Sequence, residues 1–238
     1  VVMVEADIVP ELLEDIQKEF SKEINKSHKI TRIRNLIDSG TATYEDANEY
    51  AVEIGEILAR VFKKHLKVDV LPDGRMYYNI AERILNPTLG TNHNLIAKAT
   101  AEIQEALNRS VGLGIKGIEA PINQARINSI INRVAVEEVF EDVAWILDEP
   151  IVNFSQSVVD DAIETNVNFH GQSGLSPTVT RRAHGHRPCE WCVSMAGTYK
   201  YPDVPRDVYK RHDRCRCTVE YDPGDSRRQN IWTREWRG

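Results

Sequence analysis

The chain is expected to fold as a mainly α-helical N-terminal domain, residues 1–172, followed by a small α+β domain, residues 173–238, that is rich in Cys and His and stapled by a metal. Three observations predict this. Apolar residues recur at helical spacing through about the first 170 residues, and the stripes then vanish. All four cysteines fall between Cys189 and Cys217. The charge also divides: residues 176–238 carry 13 Lys and Arg against 8 Asp and Glu, whereas the remainder carries 17 against 28.

The elements follow in order. Pro10 suits a first helical turn, with Glu11, Glu14 and Asp15 near the positive end of the helix dipole. Leu12, Leu13, Ile16, Phe20 and Ile24 then repeat at helical spacing. A second helix is predicted over 29–38, stopped by Gly40. Thr43, with Asp46 three residues on, reads as a capped start. The long helix after it carries Tyr50, Ala51, Ile54, Leu58, Val61, Phe62 and Leu66. Pro72-Asp73-Gly74 is a turn. A helix over 76–85 should end at Asn86-Pro87, because a residue preceding proline is pushed out of the helical region. Another should run over 92–109, up to the breaks at Gly112, Gly114 and Gly117. Helices are predicted over 123–134 and 136–147. Pro150 opens a last one bearing Val152, Phe154, Val158, Val159, Ala162 and Ile163. Residues 171–174, Gly-Gln-Ser-Gly, read as a hinge. Beyond it Thr178-Val179-Thr180 is a short strand candidate and 215–221 a better one. Alternation puts Cys215, Cys217 and Val219 on one face of the latter.

Composition excludes some classes. The chain has 238 residues, 41% hydrophobic and 28% charged, as soluble globular proteins do. No run of 18 apolar residues occurs, so no membrane helix is predicted. Residues 1–5 lack the basic segment and apolar run of a signal peptide. The expected compartment is reducing and cytoplasmic, where clustered cysteines favour a metal over a disulfide.

The chemistry concentrates in Cys189-Glu190-Trp191-Cys192 and His212-Asp213-Arg214-Cys215-Arg216-Cys217, with nineteen residues between Cys192 and His212. Two thiols two residues apart can face one ion across a tight turn, and the second cluster completes the claw. Zinc takes four N or S ligands in a tetrahedron, and five candidates stand here: Cys189, Cys192, His212, Cys215 and Cys217. Four thiolates, or three with His212, would serve. A closed site of this kind holds no open position for water, so it staples a small segment instead of catalysing. Disulfides and unligated thiols are the alternatives. Pro188-Cys189-Glu190-Trp191-Cys192 also matches half of the zinc-deaminase signature, but the His-x-Glu that the chemistry needs is missing at His170, His184 and His186. His184 and His186 are read as polar loop residues, with a nuclease's proton relay as the rival. Asp160-Asp161 and Glu137-Glu138 are read as solvated. The tail over 227–237 interleaves Arg with Trp232 and Trp236. It suits docking on a protein, or stacking and phosphate contacts with DNA.

The cysteine block, with Ala196-Gly197 and Tyr201-Pro202 between its halves and Tyr221-Asp222-Pro223-Gly224 after it, resembles the C-terminal part of phage minor head proteins. These are the head morphogenesis proteins of the Mu F type. The match covers about 45 residues, and its closing segment looks like the branch in prophages of Gram-positive bacteria. The resemblance implies a virion component of few copies that acts with the portal or other capsid proteins in head assembly or genome delivery. It implies no catalytic residue and places the protein in the virion or, during assembly, in the host cytoplasm. Some relatives carry toxin or enzyme domains after this part, and with the chain ending at Gly238 none is expected here. In this reading Arg214, Arg216 and the tail face a partner. The rivals are a nuclease or toxin-like hydrolase using His184, His186 or His212, and a DNA-binding module.

Overall fold

The computed structural model describes residues 7–184, 188–212, 214–224, 228–229 and 236–237. Up to residue 172 they form helices α1 (Val9–Lys26), α2 (His28–Asp38), α3 (Tyr44–His65), α4 (Tyr78–Ser110), α5 (Gln124–Ala135) and α6 (Glu149–Gln172). A small β-containing region follows: β1 (Thr178–Arg182), α7 (Glu190–Ser194), β2 (Gly197–Lys200) and β3 (Thr218–Asp222), then the short pair β4 (Arg228–Gln229) and β5 (Trp236–Arg237). The expected order, a mainly α-helical region and then a small β-containing region that holds the Cys and His cluster, is therefore the observed one.

Local chemistry starts the early helices where the pattern predicted. Pro10 occupies the first turn of α1, and Val9, Leu12, Ile16 and Phe20 make its buried stripe. Thr43 and Asp46 form a reciprocal capping box at α3, with Thr43 N–H donating to the Asp46 carboxylate at 2.9 Å.

Two expectations are corrected. Pro87 does not end a helix, because α4 runs through it for 33 residues. Proline removes the bond to the carbonyl four residues back, that of Arg83. Pro87 and Arg83 are both on the exposed side, where water can take that bond, while Ile84, Leu85, Thr88 and Leu89 keep the buried side packed. Residues 136–147 are not an α-helix either. Val139 is extended, and two 3-10 segments follow, Phe140–Asp142 and Ala144–Leu147. Phe140, Val143, Ile146 and Leu147 are the buried residues of this stretch.

α6 is the axis of the molecule. It packs on α3 and α4 and is buried on nearly all sides, including at Asn153, Ser155, Gln156, Asp160, Asn166 and His170. From Ile151 to Val159 it carries no charge, as a helix enclosed on all faces requires. Gly55 lets α3 lie against it: a Cβ there would stand 2.7 Å from Ser155 Oγ and 2.9 Å from Val152 Cα. Residues 171–174 are a helix cap and not an open hinge. Leu175 N–H donates to the His170 carbonyl and Gly174 N–H to that of Gly171, with Gly174 left-handed at φ 85°. This is the Schellman closure.

The three-stranded antiparallel sheet has the order β2-β1-β3. The weakest strand candidate of the sequence is thus the central strand, paired on both sides. Val179, Val219 and Tyr221 turn toward the helices and join the same apolar core. The Tyr221 hydroxyl is hydrogen-bonded to His170 Nδ1 on α6. β4 and β5 pair in antiparallel register, Arg228 with Arg237 and Gln229 with Trp236; the rest of the Arg/Trp tail and His186 lie outside the described residues. Among these residues no helix is long and apolar enough to cross a membrane.

Gly55→Ala is expected to destabilise the chain by about 1–3 kcal/mol, because backbone must shift to admit the methyl group. A melting temperature equal to that of the wild type would contradict this packing.

Candidate metal centre

Each half of the cluster is set by a local turn. Cys189 caps the N-terminus of α7, and its sulfur accepts the Cys192 N–H at 3.3 Å. That bond closes the Cys-x-x-Cys turn and aims both sulfurs the same way. The second half lies between a 3-10 turn at Arg206–Tyr209 and β3. There Arg214 takes a left-handed conformation (φ 58°), and Cys215 N–H bonds the His212 carbonyl at 3.2 Å. The turn brings His212 and Cys215 to one side, and alternation into β3 returns Cys217 to the same buried face.

All five expected ligands meet. Their donor atoms form two triads, Cys189–Cys192–His212 and Cys192–Cys215–Cys217, each with all atoms within 4.8 Å of one another. Cys192 belongs to both. Its sulfur lies 2.9 Å from His212 Nε2 and 3.9 Å from Cys215 Sγ, and Cys189 Sγ lies 3.2 Å from the same His212 nitrogen. Sulfurs bound to a tetrahedral zinc at about 2.3 Å lie about 3.8 Å apart, so the Cys192–Cys215 spacing fits a shared ion. All four thiols are unbridged. The site is able to hold a metal ion.

The thiols are pushed in opposite directions. The Cys215 thiol donates to Cys217, which lowers Cys217 to about 7; the same bond, with burial, pushes Cys215 up to about 12. Burial raises Cys192. Arg181 is buried beside them. Its Nη2 lies 3.7 Å from Cys215 Sγ, its Nη1 donates to the Val208 and Lys210 carbonyls, and its guanidinium stacks on Trp191 at 5.0 Å. His184 is not among the clustered ligands. Its ring bonds Thr218 Oγ1 at 2.8 Å, and only its backbone N–H reaches Cys217.

Sequence reasoning missed what fastens this cluster to the helices. Arg211 and Asp160 form a two-pronged ion pair with side chains 1% and 0% exposed. Asp160 is therefore not solvated, as the Asp160-Asp161 pair was expected to be; Glu137 and Glu138 are exposed. Arg211 also donates to the Cys217 carbonyl at 2.6 Å and to Asn48 Oδ1 on α3 at 3.0 Å. Arg216 also reaches α6, gripping Glu149 at its start through both nitrogens while its side chain stays partly exposed. The available signal was the uncharged run of α6 that ends at Asp160-Asp161, where a charge on the enclosed side of the helix implies a buried cation from elsewhere.

No family model matches this chain, and no curated protein or solved structure is significantly similar to it.

Asp160→Asn leaves Arg211 buried without its counter-charge and is expected to cost about 3–5 kcal/mol in chemical denaturation. Asp161 shows the opposite behaviour. Burial, and then the charge of Asp160, raise it from 3.8 to about 6. The folded state thus holds this proton more tightly than the unfolded state, so the group's contribution favours folding below its unfolded pKa and is lost as pH rises toward 6. Asp161→Asn should stabilise the protein at pH 7 by about 1–2 kcal/mol and flatten stability between pH 4 and 6. An unchanged pH profile would contradict this.

Proposed function

We propose that this is a non-catalytic structural protein whose small sheet region is held by one zinc ion, and that it serves as a minor head protein of the Mu F type. Portal or other capsid proteins would be its partners in head assembly or genome delivery. The zinc reading is carried by one observation: four sulfur or imidazole donors from two turns gather in two triads around a fifth, Cys192, beside a buried guanidinium. Thiolate-rich donor sets select zinc and similar soft-preferring ions over magnesium or calcium. The donors outnumber the four positions of a tetrahedron, which favours a closed staple over a site that keeps a place for water. His184, bonded to Thr218, and His212, within the ligand set, are not arranged as an acid–base pair. The minor-head reading rests on the sequence resemblance over the cysteine block, together with a helical body that agrees with it in character.

Cys192 stands in both triads, so every donor set that contains a whole triad includes it. The purified reduced chain should carry about one zinc. Cys192→Ser should lose the metal and most of the stability of the sheet region, since metal-binding free energy is folding free energy in such a site. Cys189→Ser or Cys217→Ser, each leaving one triad whole together with a fourth donor, should retain a measurable share. Elemental analysis with circular dichroism decides this; a metal-free wild type that melts like the loaded one would overturn the staple. Co-purification with a portal protein from assembled particles tests the minor-head role, and consistent absence from particles would sink it.

A further inference from the structure

The ligand segment 211–217 lies along α6, and α6 meets it with polar side chains. Asn153, Gln156 and Asp160 are three and four residues apart and so share one helix face. All three are buried. Asn153 Nδ2 donates to the His212 carbonyl at 3.2 Å. Gln156, with its amide oriented to satisfy both ends, donates to the Cys215 carbonyl at 2.9 Å and accepts from Arg211 Nη1 at 3.1 Å. Asp160 holds Arg211, which donates to the Cys217 carbonyl. The main-chain carbonyl of every candidate ligand in this half is thus held by α6, directly or through Arg211.

We propose that Asn153, Gln156 and the Asp160–Arg211 pair are positioning residues for the metal, and that metal loading in turn stabilises α6. This rests on the metal-centre reading above and deepens it by naming what regulates the site's affinity. A segment already held at three carbonyls has less chain left to order when the ion binds, so the helical body contributes to affinity without touching the metal. Linkage requires the reverse: an ion that binds only the folded arrangement stabilises whatever holds that arrangement. Groups that orient metal ligands from behind typically carry about 10–100-fold in affinity.

The test uses the full chain, zinc, and a competing chromophoric chelator, with cobalt(II) spectra as a report on ligand geometry. Asn153→Leu and Gln156→Met keep side-chain bulk and remove the bonds. Each is expected to weaken zinc binding about 10–100-fold and to perturb the cobalt bands, while the metal-free variants melt close to the metal-free wild type. Arg182→Gln, which breaks an exposed pair with Glu220 on the sheet, should leave affinity unchanged. Tight wild-type binding with wild-type affinity in both variants overturns the positioning role and leaves the metal centre standing. A wild type that binds no zinc overturns both. The unaltered chain gives a second readout that does not depend on the variants folding: chelation should lower hydrogen-exchange protection over residues 153–160, and unchanged protection overturns the proposal.

Discussion

The buried pair between Arg211 and Asp160 is the interaction on which the arrangement of the two regions turns. Removing both charges from water costs several kcal/mol per ion. Burial alone would lower the pKa of Arg211, yet the Asp160 charge and hydrogen bonds outweigh it and the net shift is upward. The cost is offset because Arg211 spends its donors fully, on both Asp160 oxygens, on Asn48, on Gln156 and on the Cys217 carbonyl. A guanidinium is the group suited to this, since its planar fork serves several acceptors at once. One side chain therefore joins α3, α6 and the ligand segment.

The other contacts between the regions point the same way. His170 near the end of α6 bonds Tyr221 of β3, Arg216 grips Glu149 at the start of α6, and Val179 and Val219 enter the helical core. The sheet is too small to bury an apolar face by itself, and three strands gain stability by packing on a helix. α3 and α6 supply that surface, and close approach at Gly55 lets them form it together. The cysteine cluster is thus built at the edge of a larger core and does not stand as a separate bead.

Two guanidinium groups approach the sulfur cluster. Arg181 lies beside Cys215 from the central strand, and Arg211 holds the Cys217 carbonyl from below. A thiolate-rich metal centre carries net negative charge, and buried charge persists where counter-charge is near. Trp191, inside the Cys-x-x-Cys turn, covers Arg181 and makes an edge contact with the His212 ring. The residue between the two thiols thus shields the cation that balances them.

The helical class, the capping box at Thr43, the stripe of α1 and the clustering of the four cysteines with His212 were legible in the sequence, because each rests on spacing and residue type. The exceptions have physical reasons. Pro87 remains within a helix because its lost bond faces solvent, and two 3-10 segments, Phe140–Asp142 and Ala144–Leu147, stand where a helix was expected, burying Phe140, Val143, Ile146 and Leu147. Thr178–Arg182 became the central strand through partners more than fifteen residues away. The Gly-Gln-Ser-Gly stretch reads as a linker by composition, but its glycines close a helix cap. Asp160 could not be paired from sequence, since its partner lies 51 residues on. Spacing along the chain determined which residues could bind a metal; only tertiary packing decided that α6 holds them, because hydrogen bonds to main-chain carbonyls leave no signature in residue type at the carbonyl that accepts them.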